Sequence, residues 1–223
     1  MNNKIEAYTF VETNNYNFMT TRIFLLIIIL SASISSAFCQ EKKEKTNGKK
    51  HFIGSTLFVL ATPILSPSPE YLQLNYGYRI TTNDVISVEA ITWAYHAPVG
   101  IPYGSVKDSQ NYNFPGKVKG YGIGFAYKRF IWKKAYTAIH STALHQNYLD
   151  LNNQIIKSGF QLFNTLRFGY QFQFFNNRLF LEPSLAFTYW PINTNLPSSF
   201  QIEEDKWPNY FLFEPGLHFG INF

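Results

Sequence analysis

Residues 211–223 read FLFEPGLHFGINF, and the alternation in this stretch decides the fold. Phe211, Phe213, Pro215, Leu217, Phe219, Ile221 and Phe223 share one parity. Leu212, Glu214, Gly216, His218, Gly220 and Asn222 share the other. Successive side chains of a β-strand point to opposite faces. Laid out as a strand, the segment has one continuous apolar face and one face that is small or polar.

The same pattern recurs upstream. Leu179, Leu181, Pro183, Leu185, Phe187 and Tyr189 alternate with Phe180, Glu182, Ser184, Ala186, Thr188 and Trp190. Leu162, Leu166, Phe168, Tyr170 and Phe172 alternate with Gln161, Thr165, Arg167, Gly169 and Gln171. Tyr121, Ile123, Phe125 and Tyr127 alternate with Gly120, Gly122, Gly124 and Ala126. Leu72, Leu74, Tyr76, Tyr78 and Ile80 alternate with Tyr71, Gln73, Asn75, Gly77 and Arg79. Weaker alternation marks residues 51–62, 85–95 and 135–148, which brings the predicted strands to eight.

Short connectors (81–84, 131–134 and 173–178, the last with Asn176-Asn177 as a reversal signal) alternate with long ones at 63–70, 96–116, 149–158 and 191–209. An up-and-down meander gathers the long loops at one end and the short turns at the other. Even strand number, this asymmetry and a polar face along each strand are the marks of a transmembrane barrel. Hydrocarbon offers no partner to a free N–H or C=O, so a sheet crossing it must close on itself. The expected fold is therefore all-β, an eight-stranded antiparallel up-and-down transmembrane β-barrel over residues 51–223. Its apolar parity faces lipid, and its interior is packed rather than open. Tyr71, Phe130, Trp132, Phe174, Phe175, Tyr189, Trp190, Trp207 and Tyr210 are expected in interfacial girdles near the strand ends.

Composition fits this reading. Of the 223 residues 46% are hydrophobic, 18% aromatic and only 15% charged, against about 25% charged in ordinary soluble domains. Disorder is excluded. The net charge of +5 is scattered, without a basic stripe, so no nucleic-acid partner is expected.

Residues 23–38, IFLLIIILSASISSAF, follow Arg22 and precede a charged stretch, as in a secretory signal peptide. Residues 1–39 are read as that signal, with Met19 a candidate translation start and a cut ahead of Gln40. Cys39 would then be removed; lipidation at Cys39 is the alternative, although Phe38 before it is not small. Residues 40–50 are a flexible periplasmic lead-in.

With the signal peptide, the eight-strand pattern and Phe223 closing an alternating strand, the chain resembles small outer-membrane barrels of Gram-negative bacteria, of the outer-membrane protein A transmembrane-domain type. Its richness in Asn, Lys, Phe and Tyr resembles Bacteroidota outer-membrane proteins. The resemblance implies an outer-membrane location and a C-terminal assembly signal at Phe219, Ile221 and Phe223, read by the barrel assembly machinery. It further implies contact with outer-membrane lipid and lipopolysaccharide.

Strand parity sends Arg79, Glu89, Lys128, Arg167, Glu182, Glu214 and His218 into the lumen, where isolated charges are costly and must pair. Arg167 is the expected partner of Glu182 or Glu214. A structural polar network is one reading, a narrow gated pore the other. The catalytic alternative, a lipid A-modifying hydrolase, finds little support. His140 and Ser141 are adjacent and so point to opposite faces, and the His-x-Ser-Asn order of lipid A deacylases is missing. His145 near Asp150, and His96, read as loop histidines. No nucleotide, zinc, calcium or redox motif occurs, so no cofactor or metal is expected. Tyr103, Tyr112, Trp207 and Glu203-Glu204-Asp205 leave binding of an extracellular ligand through the loops open.

Overall fold

The computed structural model describes residues 48–57, 70–101 and 113–223. The expected signal peptide, Cys39, most of the lead-in, residues 58–62 of the first predicted strand, and Tyr103 and Tyr112 lie outside the described residues.

The described strands are β1 (His51–Thr56), β2 (Tyr71–Arg79), β3 (Asp84–Tyr95), β4 (Lys117–Trp132), β5 (Ala135–Leu149), β6 (Ile155–Tyr170), β7 (Phe172–Phe174), β8 (Leu179–Asn193) and β9 (Tyr210–Asn222). A short helix α1 (Ser198–Glu204) lies between β8 and β9. β7 continues β6 past Gln171 and pairs with the same neighbour, β8. The nine segments therefore make eight staves. Each pairs antiparallel with the next, and β1 pairs with β9 to close the ring. The fold is a closed eight-stranded antiparallel β-barrel, as the alternation predicts.

Closure carries a stagger. A row of paired residues runs Ile221, Ile53, Tyr76, Val88, Phe125, Ser141, Asn164, Tyr189 and returns to β9 at Tyr210, eleven positions from its start. One of those positions is the extra residue of a bulge in β9. In an eight-stranded ring such a stagger tilts the strands by about 40°.

Short turns are locally specified. Thr81 Oγ1 accepts the backbone N–H groups of Asn83 and Asp84 at 3.1 and 2.9 Å and reverses the chain between β2 and β3. Asp150 Oδ1 does the same for Asn152 and Gln154, both at 2.8 Å, between β5 and β6. Phe175, Asn176 and Asn177 all adopt positive φ in the β7–β8 turn. The long connector expected at 149–158 shrinks to 150–154, because β6 begins at Ile155. Ile155 to Ser158 are exposed and lack period-two patterning, so alternation gave no signal there.

The outward face is apolar. On β4 it reads Lys119, Tyr121, Ile123, Phe125, Tyr127, Arg129, with Ile123 and Phe125 exposed at 62% and 66%. Ten residues at ~3.3 Å, tilted by ~40°, set the two cations about 25 Å apart along the barrel axis. Leu72, Leu74, Ile86, Val88, Ile139, Leu185, Leu217 and Ile221 continue the exposed apolar band around the ring.

The lumen is layered. Toward the short turns Val85, Phe130, Tyr136 and Ala138 pack with Phe52. Toward the long loops Leu144, Phe163 and Trp190 pack with Ile91, Trp93, Val99 and Phe211. Beyond them Tyr95, Phe114, Val118, Tyr148 and the α1 residue Phe200 pack together toward the loop end. Polar side chains occupy the level between.

Three aromatic expectations are corrected. Tyr71, Phe130 and Trp190 belong to the lumen rather than to a girdle, since each sits on the inward parity of its strand. Trp132, Phe174, Phe175, Tyr189 and Tyr210 are exposed on the outside of the sheet. The thirteen-residue stripe of β9 is also broken. Ala186 pairs with Glu214 but Thr188 pairs with Phe211, so Leu212 and Phe213 together face a single β8 position. Phe213 takes up the extra residue at φ +60°, both Leu212 and Phe213 point outward, and Phe211 turns inward. Such a bulge re-aims the side chains that follow it.

Candidate functional site

The polar middle of the lumen gathers six of the seven predicted site residues into three groups and leaves His218 on their edge. Lys128 Nζ from β4 reaches both carboxylate oxygens of Glu182 on β8, at 2.6 and 2.7 Å. Gln171 Nε2 donates to the same carboxylate at 2.7 Å. The ammonium also lies 4.5 Å from the centre of the Tyr136 ring, an added cation–π contact. Arg79 donates to Gln171 at 3.4 Å and sits 5.2 Å over the Phe130 ring. It therefore joins Glu182 through Gln171 rather than by direct contact.

A second group forms around Glu89. Its carboxylate accepts from Gln73 Nε2 at 2.6 Å and from Thr142 Oγ1 at 3.1 Å. His140 Nε2 lies 3.4 Å away. Tyr71 donates to Gln73 and extends this group toward the loop end. A Cβ on Gly124 would stand 2.6 Å from His140 Nε2 and 2.7 Å from Thr142 Oγ1, so that position must stay bare for the cluster to close.

Arg167 was expected beside Glu182 or Glu214. It donates to Ser184 at 3.0 Å, and its Nη2 lies 3.8 Å from Glu214. Glu214 also accepts from Thr188 Oγ1 at 2.6 Å. Glu182 pairs across the β8–β9 ladder with His218, so Glu182 lies toward the short turns and Glu214, opposite Ala186, toward the loops. His218 Nδ1 is enclosed and has no hydrogen-bond partner among the described residues.

Among the described residues the lumen thus holds three cations, Arg79, Lys128 and Arg167, and three carboxylates, Glu89, Glu182 and Glu214, of which Lys128–Glu182 and Arg167–Glu214 are ion pairs. A cavity of about 70 Å³ lies at this level, lined among others by Lys128, Glu89, His140, Arg167, Glu182 and His218. That volume holds a few waters, and the polar lining supplies their partners. Among the described residues, aromatic clusters lie on either side of this level.

Residue reading missed His140, Gln73, Thr142 and Gln171. Gln73 and Gln171 lie on the inward parity of their strands but carry no formal charge to mark them. His140 and Thr142 were hidden for another reason. The outward parity of β5 is Thr137, Ile139, Ser141, Ala143, His145 and Asn147, which is hardly more apolar than the inward one. Composition could not tell which side faced in. Cross-strand register settles it, since His140 is paired with Ala126 and Thr142 with Gly124.

Ser141 faces outward while His140 faces inward, so the pair makes no nucleophile–base contact. Ser141 Oγ donates instead to Asn164 Oδ1 at 2.9 Å. Among the described residues no group of three or more His, Cys, Asp or Glu side chains is placed to hold a metal ion. No described helix is long and apolar enough to cross a membrane.

The loop end has its own polar feature. Glu204 of α1 accepts from Asn193 Nδ2 at 3.3 Å. Burial raises its carboxyl above the usual range, and the neighbouring Trp190 and Asn193 groups offset this only in part. Comparison with protein-family models, curated proteins and solved structures gives no match to this chain.

Proposed function

We propose that this chain is an integral outer-membrane barrel without catalytic activity, serving a structural or surface-recognition role. The observation that carries the reading is the exposed apolar band around a sheet with no free edge. Exposed aliphatic and aromatic side chains on every wall are untenable in water at this extent, and a closed ladder satisfies the backbone without solvent. On β4 the band lies between Tyr121 with Lys119 on one side and Tyr127 with Arg129 on the other. Aromatic rings and basic side chains at two levels about 25 Å apart suit the two interfaces of a bilayer.

In this reading the short turns, the lead-in and Phe223 face the periplasm, and the long loops with α1 face outward. Phe219, Ile221 and Phe223 serve as the segment read by the assembly machinery. Outer-membrane phospholipid and lipopolysaccharide are the surrounding partners, and an extracellular ligand would meet the loop surface. The packed aromatic layers at both ends of the lumen support a barrel that does not conduct. The outward Ser141, tied to Asn164 and away from His140, gives no support to a lipid A hydrolase.

The test is electrophoretic mobility in detergent before and after heating, with flotation of the chain in lipid vesicles. A folded barrel shifts its apparent mass on heating and floats with lipid. Recovery as a water-soluble monomer without detergent overturns the proposal.

A further inference from the structure

The outward wall of β5 and β6 differs from the rest of the band. Along β5 it is floored by Ser141 and Ala143, flanked by Ile123 and Phe125 on β4 and by Leu162 and Leu166 on β6. These small residues between large ones make a shallow groove along the seam. In its centre stands Asn164, directly opposite Ser141 in the ladder. Phe125, the β4 partner of Ser141, lies one residue to the short-turn side of the midpoint between Lys119 and Arg129, and each step along the tilted ladder climbs ~3 Å toward the loops, so the Ser141–Asn164 pair sits within a few ångströms of mid-height. Asn147, the other outward carboxamide of this wall, is the ladder partner of Lys119 at the band's edge.

Asn164 Oδ1 accepts from Ser141, but among the described residues nothing accepts from its Nδ2, which carries two N–H donors. At the centre of a bilayer neither water nor acyl chains can take those bonds, and an unmet donor there is costly. The group must meet an acceptor at its own depth. A two-fold axis along the barrel axis preserves depth, so a residue at the middle of such an interface faces its own copy. A carboxamide is self-complementary: each Nδ2–H donates to the other's Oδ1, which has a second lone pair free beside the Ser141 bond. Small residues on the floor let two walls approach closely, as at packed interfaces in membranes.

We propose that two copies of this chain associate in the membrane along the β5–β6 seam, with the two Asn164 carboxamides paired across the axis. The inference rests on the membrane reading above.

The full chain carrying Cys39→Ser and a dye at Asn152→Cys, on the exposed β5–β6 turn, is reconstituted in phosphatidylcholine vesicles at decreasing protein density. Energy transfer between donor- and acceptor-labelled chains reports association. Transfer should follow a monomer–dimer curve, and Asn164→Leu should shift its midpoint by about tenfold toward higher density. Ala143→Trp fills the groove without altering the polar pair and should abolish transfer. Leu74→Trp on the far wall should leave the curve unchanged. Flotation and heat-modified mobility of each variant establish insertion independently. A chain that fails to insert defeats the membrane reading itself. Inserted chains that stay monomeric at every density overturn the pairing alone. So does an unchanged curve for inserted Asn164→Leu and Ala143→Trp, or equal disruption by Leu74→Trp.

Discussion

Lys128 and Glu182 illustrate what a buried charge needs. Each would be costly alone, and the pair is tolerated because the carboxylate takes three close donor contacts from Lys128 and Gln171. Lys128→Met should therefore destabilise the barrel by ~3–5 kcal/mol, since it leaves an uncompensated carboxylate inside. Combining it with Glu182→Leu should restore most of the loss. Urea unfolding in lipid vesicles, followed by tryptophan fluorescence, gives both numbers. If the double change is no better than the single one, the penalty is not the stranded charge. Glu204 behaves differently because it sits outside the band, on α1. Its folded value is raised, so the folded state holds its proton over a pH range in which the unfolded chain has lost it. Stability of the α1 region then falls as pH rises from the ordinary carboxyl value, about 4.3, through the raised folded one, and levels off above it. Limited proteolysis within residues 191–209 should accordingly be slower at the acid side of that window than at neutral pH. Glu204→Gln should remove the difference.

Among the elements, β4, β8 and β2 were plain in the sequence because one parity is apolar and the other is small or polar along their whole length. β9 was legible as a strand but not as a bulged one. Phe213 is apolar on either side of the irregularity, and no Gly marks the left-handed position, so the slip left no trace in composition. The sides of β5 were hidden because a seam of small and polar residues replaces the usual outward stripe. α1 escaped notice for a tertiary reason. Ser198–Glu204 is a seven-residue helix with no side-chain cap, too short to hold itself together in isolation. Burial of Phe200 against Phe114 and Tyr148 secures it, and Phe114 lies some 86 positions earlier in the chain. The charged members of the interior could be assigned by parity, but their partners could not. Pairing Lys128 with Glu182 requires knowing that β4 and β8 face each other across a ring. Phe200→Ala should release α1, at a cost of ~3–5 kcal/mol for a fully buried ring. The measurement is hydrogen exchange, with protection lost over residues 195–205 and retained in β4 and β5. Loss spread evenly over the barrel would mean that α1 is part of the global fold rather than a stopper.

At the scale of the whole barrel, eight staves enclose a polar stratum between two aromatic ones. Planar-bilayer recording of the reconstituted chain should therefore show no discrete conductance steps, and regular openings would refute the sealed lumen. The ion pairs carry a further consequence. Lys128 and Glu182 are 54 positions apart, and Arg167 on β6 and Glu214 on β9, with β8 between them, come together only when the C-terminal strand is in place. A half-built sheet would hold lone ions against oil, with no counter-ion yet delivered. Entry into the bilayer is thus forced to be all-or-none: fragment 48–150 should stay at the vesicle surface, protease-accessible, until residues 151–223 are supplied.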